Sequence, residues 1–272
     1  HTIKFPLPEY NTGNLAESWE QPDMSTVIFH IRKGIRWQDK PPVNGREFTA
    51  DDVRYHYDRM LGLGSGYTKP TGLVGLLTTM PTWSITVLDK YTVVIKLKEP
   101  SLLGIRDIHE SMHNLQFIGP TEVVKQYGDY RDWRNAVGTG PFVLKDYVPG
   151  SSLTLSKNPN YWGYDDRYPE NRLPYVDGIK VPIIPDASTA QAALRTGKID
   201  LIEGINWDEA RSLAKTNPKL KQISRDSKSS AAVGMRVDLK PFTDIRVRRA
   251  MQMAIDLETI AKTYYGGTAD GT

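Results

Sequence analysis

The feature that most constrains this chain is a change of rhythm near Ile179. Upstream, period-two apolar runs come in pairs joined by tight turns. Downstream, short β-branched runs alternate one by one with capped helical segments. Paired runs predict antiparallel hairpins. Singly alternating runs predict strands joined by crossover helices, the signature of an α/β layer.

Upstream, Val27, Phe29 and Ile31 share one face of a strand over Thr26 to Arg32. Residues 1–25 lack any such alternation and read as mostly irregular. Thr49-Ala50-Asp51-Asp52 is a capping box with Asp in place of Glu, and Val53, Tyr57, Met60 and Leu61 follow at helical spacing up to Gly62. Ile85/Val87 and Val93/Ile95/Leu97 predict a hairpin around Asp89-Lys90. Phe142 to Val148 and Leu153 to Lys157 predict a second around Pro149-Gly150. Helical pieces are expected within 101–128, and a long loop over 158–174.

Downstream, strands are expected at Ile179 to Ile184, Ile199 to Ile202, Leu220 to Ser224 and Ala231 to Val237. Helices are expected at Asp186 to Thr196, stopped by Gly197, and at Asn206 to Lys215, boxed by Asn206 and Glu209. A last amphipathic helix opens at Thr243 or Asp244 and presents Val247, Ala250, Met251, Ala254 and Ile255 on one face.

Composition removes several function classes. The 272 residues hold no Cys, which excludes disulfides, thiolate metal sites and a Cys nucleophile. A net charge of +3 from scattered Lys and Arg is a thin surplus for nucleic acid. No run approaches the ~18 apolar residues of a membrane span.

Few motifs carry chemistry. His109-Glu110-Ser111-Met112-His113 matches H-E-x-x-H, which on a helix holds zinc between the two His with the Glu as base. No third ligand stands at family spacing downstream, and Asp107, Glu110 and Asn114 make the surroundings polar, so a polar surface helix is the better reading. Gly62-Leu63-Gly64-Ser65-Gly66 follows a helix and lacks Gly-Lys-Ser/Thr, so it is a connector rather than a phosphate loop. No G-x-S-x-G is present. Arg246, Arg248 and Arg249 read as the solvated side of the last helix. Among six Trp and 14 Tyr, most are expected in packing and a few along a ligand groove.

The informative pattern is distributed. Leu15-Ala16-Glu17-Ser18-Trp19-Glu20 leads into Phe29-His30-Ile31-Arg32-Lys33-Gly34-Ile35-Arg36-Trp37. Then come Phe48-Thr49-Ala50-Asp51-Asp52-Val53, Val137-Gly138-Thr139-Gly140-Pro141-Phe142 and Asn158-Pro159-Asn160-Tyr161-Trp162. Ala193-Leu194-Arg195-Thr196-Gly197-Lys198-Ile199-Asp200 and Pro241-Phe242-Thr243-Asp244-Ile245-Arg246-Val247-Arg248-Arg249-Ala250 complete the series. In this order, from about residue 14 to 267, the chain resembles the family 5 extracellular solute-binding proteins, the dipeptide-, oligopeptide- and nickel-binding group of ABC importers.

The resemblance implies an α/β fold of the type II periplasmic-binding class, with mixed sheets, crossover helices and an extra α+β domain. It implies residues 1–135 as that extra domain, 136–238 as most of the first lobe, and 239–272 as the start of an incomplete second lobe. It implies capture of an extended small solute, a short peptide first, and delivery to ABC permease subunits. It implies no catalysis, no cofactor, no metal, no nucleic-acid partner, a monomer, and a periplasmic or cell-surface location with a lipid anchor outside this chain. A zinc hydrolase using His109, Glu110 and His113, and a sensor on the same fold, are the competing readings. The ligand-contacting strand of the peptide binders matches Ala231, Ala232, Val233, Gly234, Met235 and Arg236, whose small residues would let a ligand backbone approach.

Overall fold

The computed structural model describes residues 13–69, 84–100, 117–224 and 233–269. The H-E-x-x-H at 109–113 lies outside the described residues, as do Ala231 and Ala232. The chain divides into two compact units, residues 1–183 and 184–272.

The first unit is built from hairpins. Strands β1 (Ala16–Asp23), β2 (Thr26–Ile31), β3 (Ser84–Asp89) and β4 (Thr92–Lys96) form one antiparallel sheet in the order β1-β2-β4-β3. Phe29 pairs with Val93 and Val27 with Ile95, so the alternating apolar face of β2 meets that of β4. β1 corrects the expectation of irregular structure before residue 26. Its sequence does not alternate, and it is strand because it folds back on β2 through the turn at Met24-Ser25, pairing Trp19 with Phe29.

Helix α1 (Ala50–Leu61) lies against β3 and β4. It starts where expected. Thr49 and Asp52 exchange the two hydrogen bonds of a capping box, and Gly62 closes the helix in the left-handed region at φ 69°. Buried Ala50 and Val53 face the sheet, while the connecting segment folds Ile35, Trp37, Val43 and Phe48 into the same core. Trp37 and Phe48 meet edge to face at 5.5 Å.

Helix α2 (Thr121–Tyr127) is tied to α1 by one guanidinium. Arg46 donates to both carboxylate oxygens of Asp52, at 2.8 and 2.6 Å, and to both of Glu122. Asp52 is buried, and it also accepts from the Thr49 N–H at 3.0 Å. A fork between two carboxylates fixes angle as well as distance, which a lysine would not.

The second sheet of this unit holds β5 (Phe142–Val148), β6 (Ser152–Lys157) and β9 (Gly178–Pro182), in that order and all antiparallel. The segment expected as a long loop over 158–174 contains a small ladder, β7 (Tyr164–Asp165) with β8 (Tyr168–Arg172). Asp165 is buried there and accepts from Tyr175 Oη at 2.9 Å.

The second unit contains four helices among its described residues: α3 (Ala187–Arg195), α4 (Trp207–Thr216), α5 (Ile245–Met253) and α6 (Leu257–Thr263). Asp186 caps α3, Asn206 and Glu209 box α4, Asp244 caps α5 and Asp256 caps α6. Gly197 takes φ 68° after α3. The strands expected at 199–202 and 220–224 are not formed, and 233–237 is irregular. A strand is a property of a pair, and these segments have no ladder partner among the described residues. Every described ladder in the chain is antiparallel.

Candidate functional site

The first unit contains an open cavity of about 940 Å³. That is at the upper end of ordinary ligand pockets, ~300–1,000 Å³. One wall is α1, presenting Val53, His56, Tyr57, Arg59 and Met60. A second is the sheet through Leu15, Phe29, Ile31 and Ile95. A third combines Leu144 and Leu155 of the second sheet with Tyr161 and Trp162. The fourth is the Ala136–Phe142 loop, and Phe117–Gly119 with Tyr130 complete it.

This lining is apolar and aromatic, and among its described residues Arg59 carries a permanent positive charge. Arg59 and His56 line the cavity, and no Asp or Glu is among its described lining residues. Burial pushes the Tyr57 phenol up to about 12. Burial also lifts Tyr130 to about 12, against the opposing pull of Arg59, whose guanidinium lies 5.4 Å from its ring. Tyr161 is raised by burial as well. These three phenols therefore stay neutral at physiological pH and cannot act as bases there. The indole N–H of Trp162 is buried without a partner, while Arg32 stacks 5.2 Å over its ring.

The Ala136–Phe142 loop is held from two sides. Gln38, buried beside Trp37, uses both ends of its amide: Nε2 donates to the Phe142 carbonyl at 2.8 Å, and Oε1 accepts from the Gly138 N–H at 3.2 Å. Its own N–H donates to the Gly138 carbonyl at 2.9 Å. From the other side, Asn158, 3% exposed, donates from Nδ2 to the Gly140 carbonyl at 2.9 Å and from its N–H to the Pro141 carbonyl at 2.8 Å. Lys40 Nζ donates to the Ala136 carbonyl at 3.0 Å, and burial lowers its pKa. Tyr130 Oη donates to the Pro120 carbonyl at 2.7 Å, fixing the opposite rim.

The residues matched to a ligand-contacting strand fall elsewhere in the chain. Val233, Gly234 and Arg236 are exposed and irregular, in the second unit, with Met235 half-buried among them. Arg236 is already paired with Asp238, at 2.8 and 2.5 Å. Gln38, Tyr57 and Met60 had no signal beyond ordinary core positions. Thr139, Gly140 and Trp162 belong to motifs that carried the family resemblance but no assigned role. No group of three or more His, Cys, Asp or Glu able to hold a metal occurs among the described residues. No helix among them is long and apolar enough to cross a membrane.

Solved structures share this architecture. The chain superposes on the ABC transporter-associated periplasmic binding protein DppA of Helicobacter pylori, solved with the peptide STSA, with a TM-score of 0.70. The sequences are 28% identical, over 94% of this chain and 50% of that one. The fold therefore defines the class, a periplasmic-type solute-binding protein. Residues 12–272 match the model of the bacterial extracellular solute-binding proteins, family 5 middle region, and the chain belongs to that family. Heme-binding protein A of Haemophilus influenzae is 29% identical over 96% of this chain and 49% of its own length. The dipeptide-binding protein of Escherichia coli is 27% identical over 93% and 47%. The chain thus spans about half the length of these relatives.

Proposed function

We propose that the chain is part of the substrate-binding component of an ABC importer. It captures an extended small solute, a short peptide, outside the cytoplasm and hands it to membrane permease subunits. The observation that carries this reading is family membership over residues 12–272, together with a large apolar cavity walled by motifs of that family. Relatives named for dipeptide binding, and a structural neighbour solved with a peptide, support peptide as the ligand class. The aromatic surface of the cavity suits apolar side chains.

In this reading residues 1–135 are an accessory domain, 136–238 most of the first lobe and 239–272 the start of the second. Ala231 to Arg236 is a second candidate contributor to ligand contact. The protein acts as a monomer without catalysis, held at the cell surface by a lipid anchor outside the chain.

Calorimetric titration with a peptide pool tests this. The full-length protein is expected to bind in the micromolar range. The 272-residue chain should bind about a thousandfold more weakly, since halving ~8 kcal/mol leaves ~4. Absence of peptide binding by the full-length protein would sink the reading.

A further inference from the structure

The Gly138–Pro141 loop combines rigid support with unused donors. Its carbonyls at Gly138, Gly140 and Pro141 are all occupied by Gln38 or Asn158. Among the described residues, the Thr139 N–H, the Thr139 hydroxyl and the Gly140 N–H have no hydrogen-bond partner. Both residues line the cavity. Thr139 and Gly140 are half-buried, and a ligand acceptor would replace water on these donors. Successive main-chain N–H groups in a turn also form a concavity suited to an anion.

The electrostatics point the same way. The ionisable groups on the described lining other than phenols are Arg59 and His56, and Lys40 sits behind the loop on the Ala136 carbonyl. Steric room is available as well. A Cβ built on Gly140 would meet nothing within 4 Å. The loop thus has free space beside Gly140 while its carbonyls are clamped.

We propose that Thr139 and Gly140 form a carboxylate-anchoring subsite, so that the cavity takes an amphipathic acid. The carboxylate lies on the two N–H groups and the Thr139 hydroxyl, and the apolar body lies among Tyr57, Phe29, Leu155 and Trp162. The inference rests on reading the cavity as the ligand site of a solute-binding protein. Gln38 and Asn158 are positioning residues for this anchor.

The test compares two probes that differ in one group, phenylacetate and phenylacetamide, with the dipeptide Ala-Phe as a third. The full chain, labelled with nitrogen-15, is titrated while its amide resonances are followed. Phenylacetate should shift the Thr139 and Gly140 amides saturably, and bind about tenfold more tightly than the amide, since charge-assisted hydrogen bonds are roughly twice as strong as neutral ones. Thr139→Val, which removes the hydroxyl and keeps both N–H groups, should fold normally, judged by an unchanged melting temperature, yet reduce the acid preference.

Equal affinity for acid and amide, or wild-type acid preference in Thr139→Val, would overturn the anchor. If Ala-Phe shifts other cavity amides but leaves Thr139 and Gly140 unmoved, the anchor falls and peptide binding stands. If phenylacetate moves both amides while Ala-Phe moves none, the anchor stands and the peptide reading falls.

Discussion

In the first unit Ile35 and Phe48 have no exposed surface and Trp37 has 1%, whereas in the second unit Met253 is 80% exposed and Ile260 41%. Yet α1 of the first unit starts in the same way as the helices of the second. The Thr49/Asp52 box of α1 has its counterpart in the Asn206/Glu209 box of α4, and Asp186, Asp244 and Asp256 cap the remaining helices of the second unit. Capping is local and needs four consecutive residues. Burial needs a second surface, which the first unit supplies from its own hairpins. In the second unit only Ala190, Leu213 and Ala261 are buried apolar residues among those described. Good local signals therefore specify where a helix begins without specifying what it packs against.

The largest expected effect sharpens that contrast. Trp37→Ala should cost ~3–5 kcal/mol, from lost burial plus the cavity left behind. Ile260→Ala should stay within ~0.5 kcal/mol, as an exposed change does. Urea unfolding of both variants checks this, and a comparable loss for Ile260→Ala would erase the distinction between the units.

A smaller effect is expected at the Arg46 fork. Arg46→Met strands the buried Asp52 and frees Glu122. We expect a loss of about 2 kcal/mol at neutral pH, between the ~1 of exposed ion pairs and the ~3 or more of buried ones. The hydrogen bond from Arg46 holds the Glu122 carboxyl below its ordinary value. A depressed carboxylate stabilises the fold above the ordinary glutamate range and stops doing so as pH falls through its folded value. The gap between wild type and variant should therefore narrow in acid. Unfolding curves at neutral pH and near pH 3 measure it, and a gap that widens in acid would contradict the assignment.

The smallest effect tests whether the two units really share their local rules. Thr49→Ala and Asn206→Ala should each cost ~1 kcal/mol. Hydrogen exchange of the first helical turn reads the loss helix by helix. If only Thr49→Ala weakened its helix, capping in the second unit would be ornamental, and the comparison would have to rest on burial alone.

Sequence patterns suffice where partners are close in the chain. Hairpins around Asp89-Lys90 and Pro149-Gly150 appear as expected because each strand finds its mate within a few residues. Gly62 and Gly197 stop their helices because only local backbone geometry is involved. The polar pattern of β1 hides a strand that pairing with β2 creates. The segments 199–202 and 220–224, expected as strands, find no ladder partner among the described residues.

By itself, then, the sequence determined the caps, the tight turns, the hairpins and the ordered motifs that mark the family. Each of these is written in residues a few positions apart. Tertiary structure alone decided the cavity and its donor-lined loop. Gln38 holds Gly138 and Phe142 from 100 and 104 residues away, and Arg46 reaches Glu122 across 76. No local periodicity encodes such contacts. They arise when two sheets and a helix, each formed for local reasons, bury their apolar faces together and leave between them a space that no single segment describes.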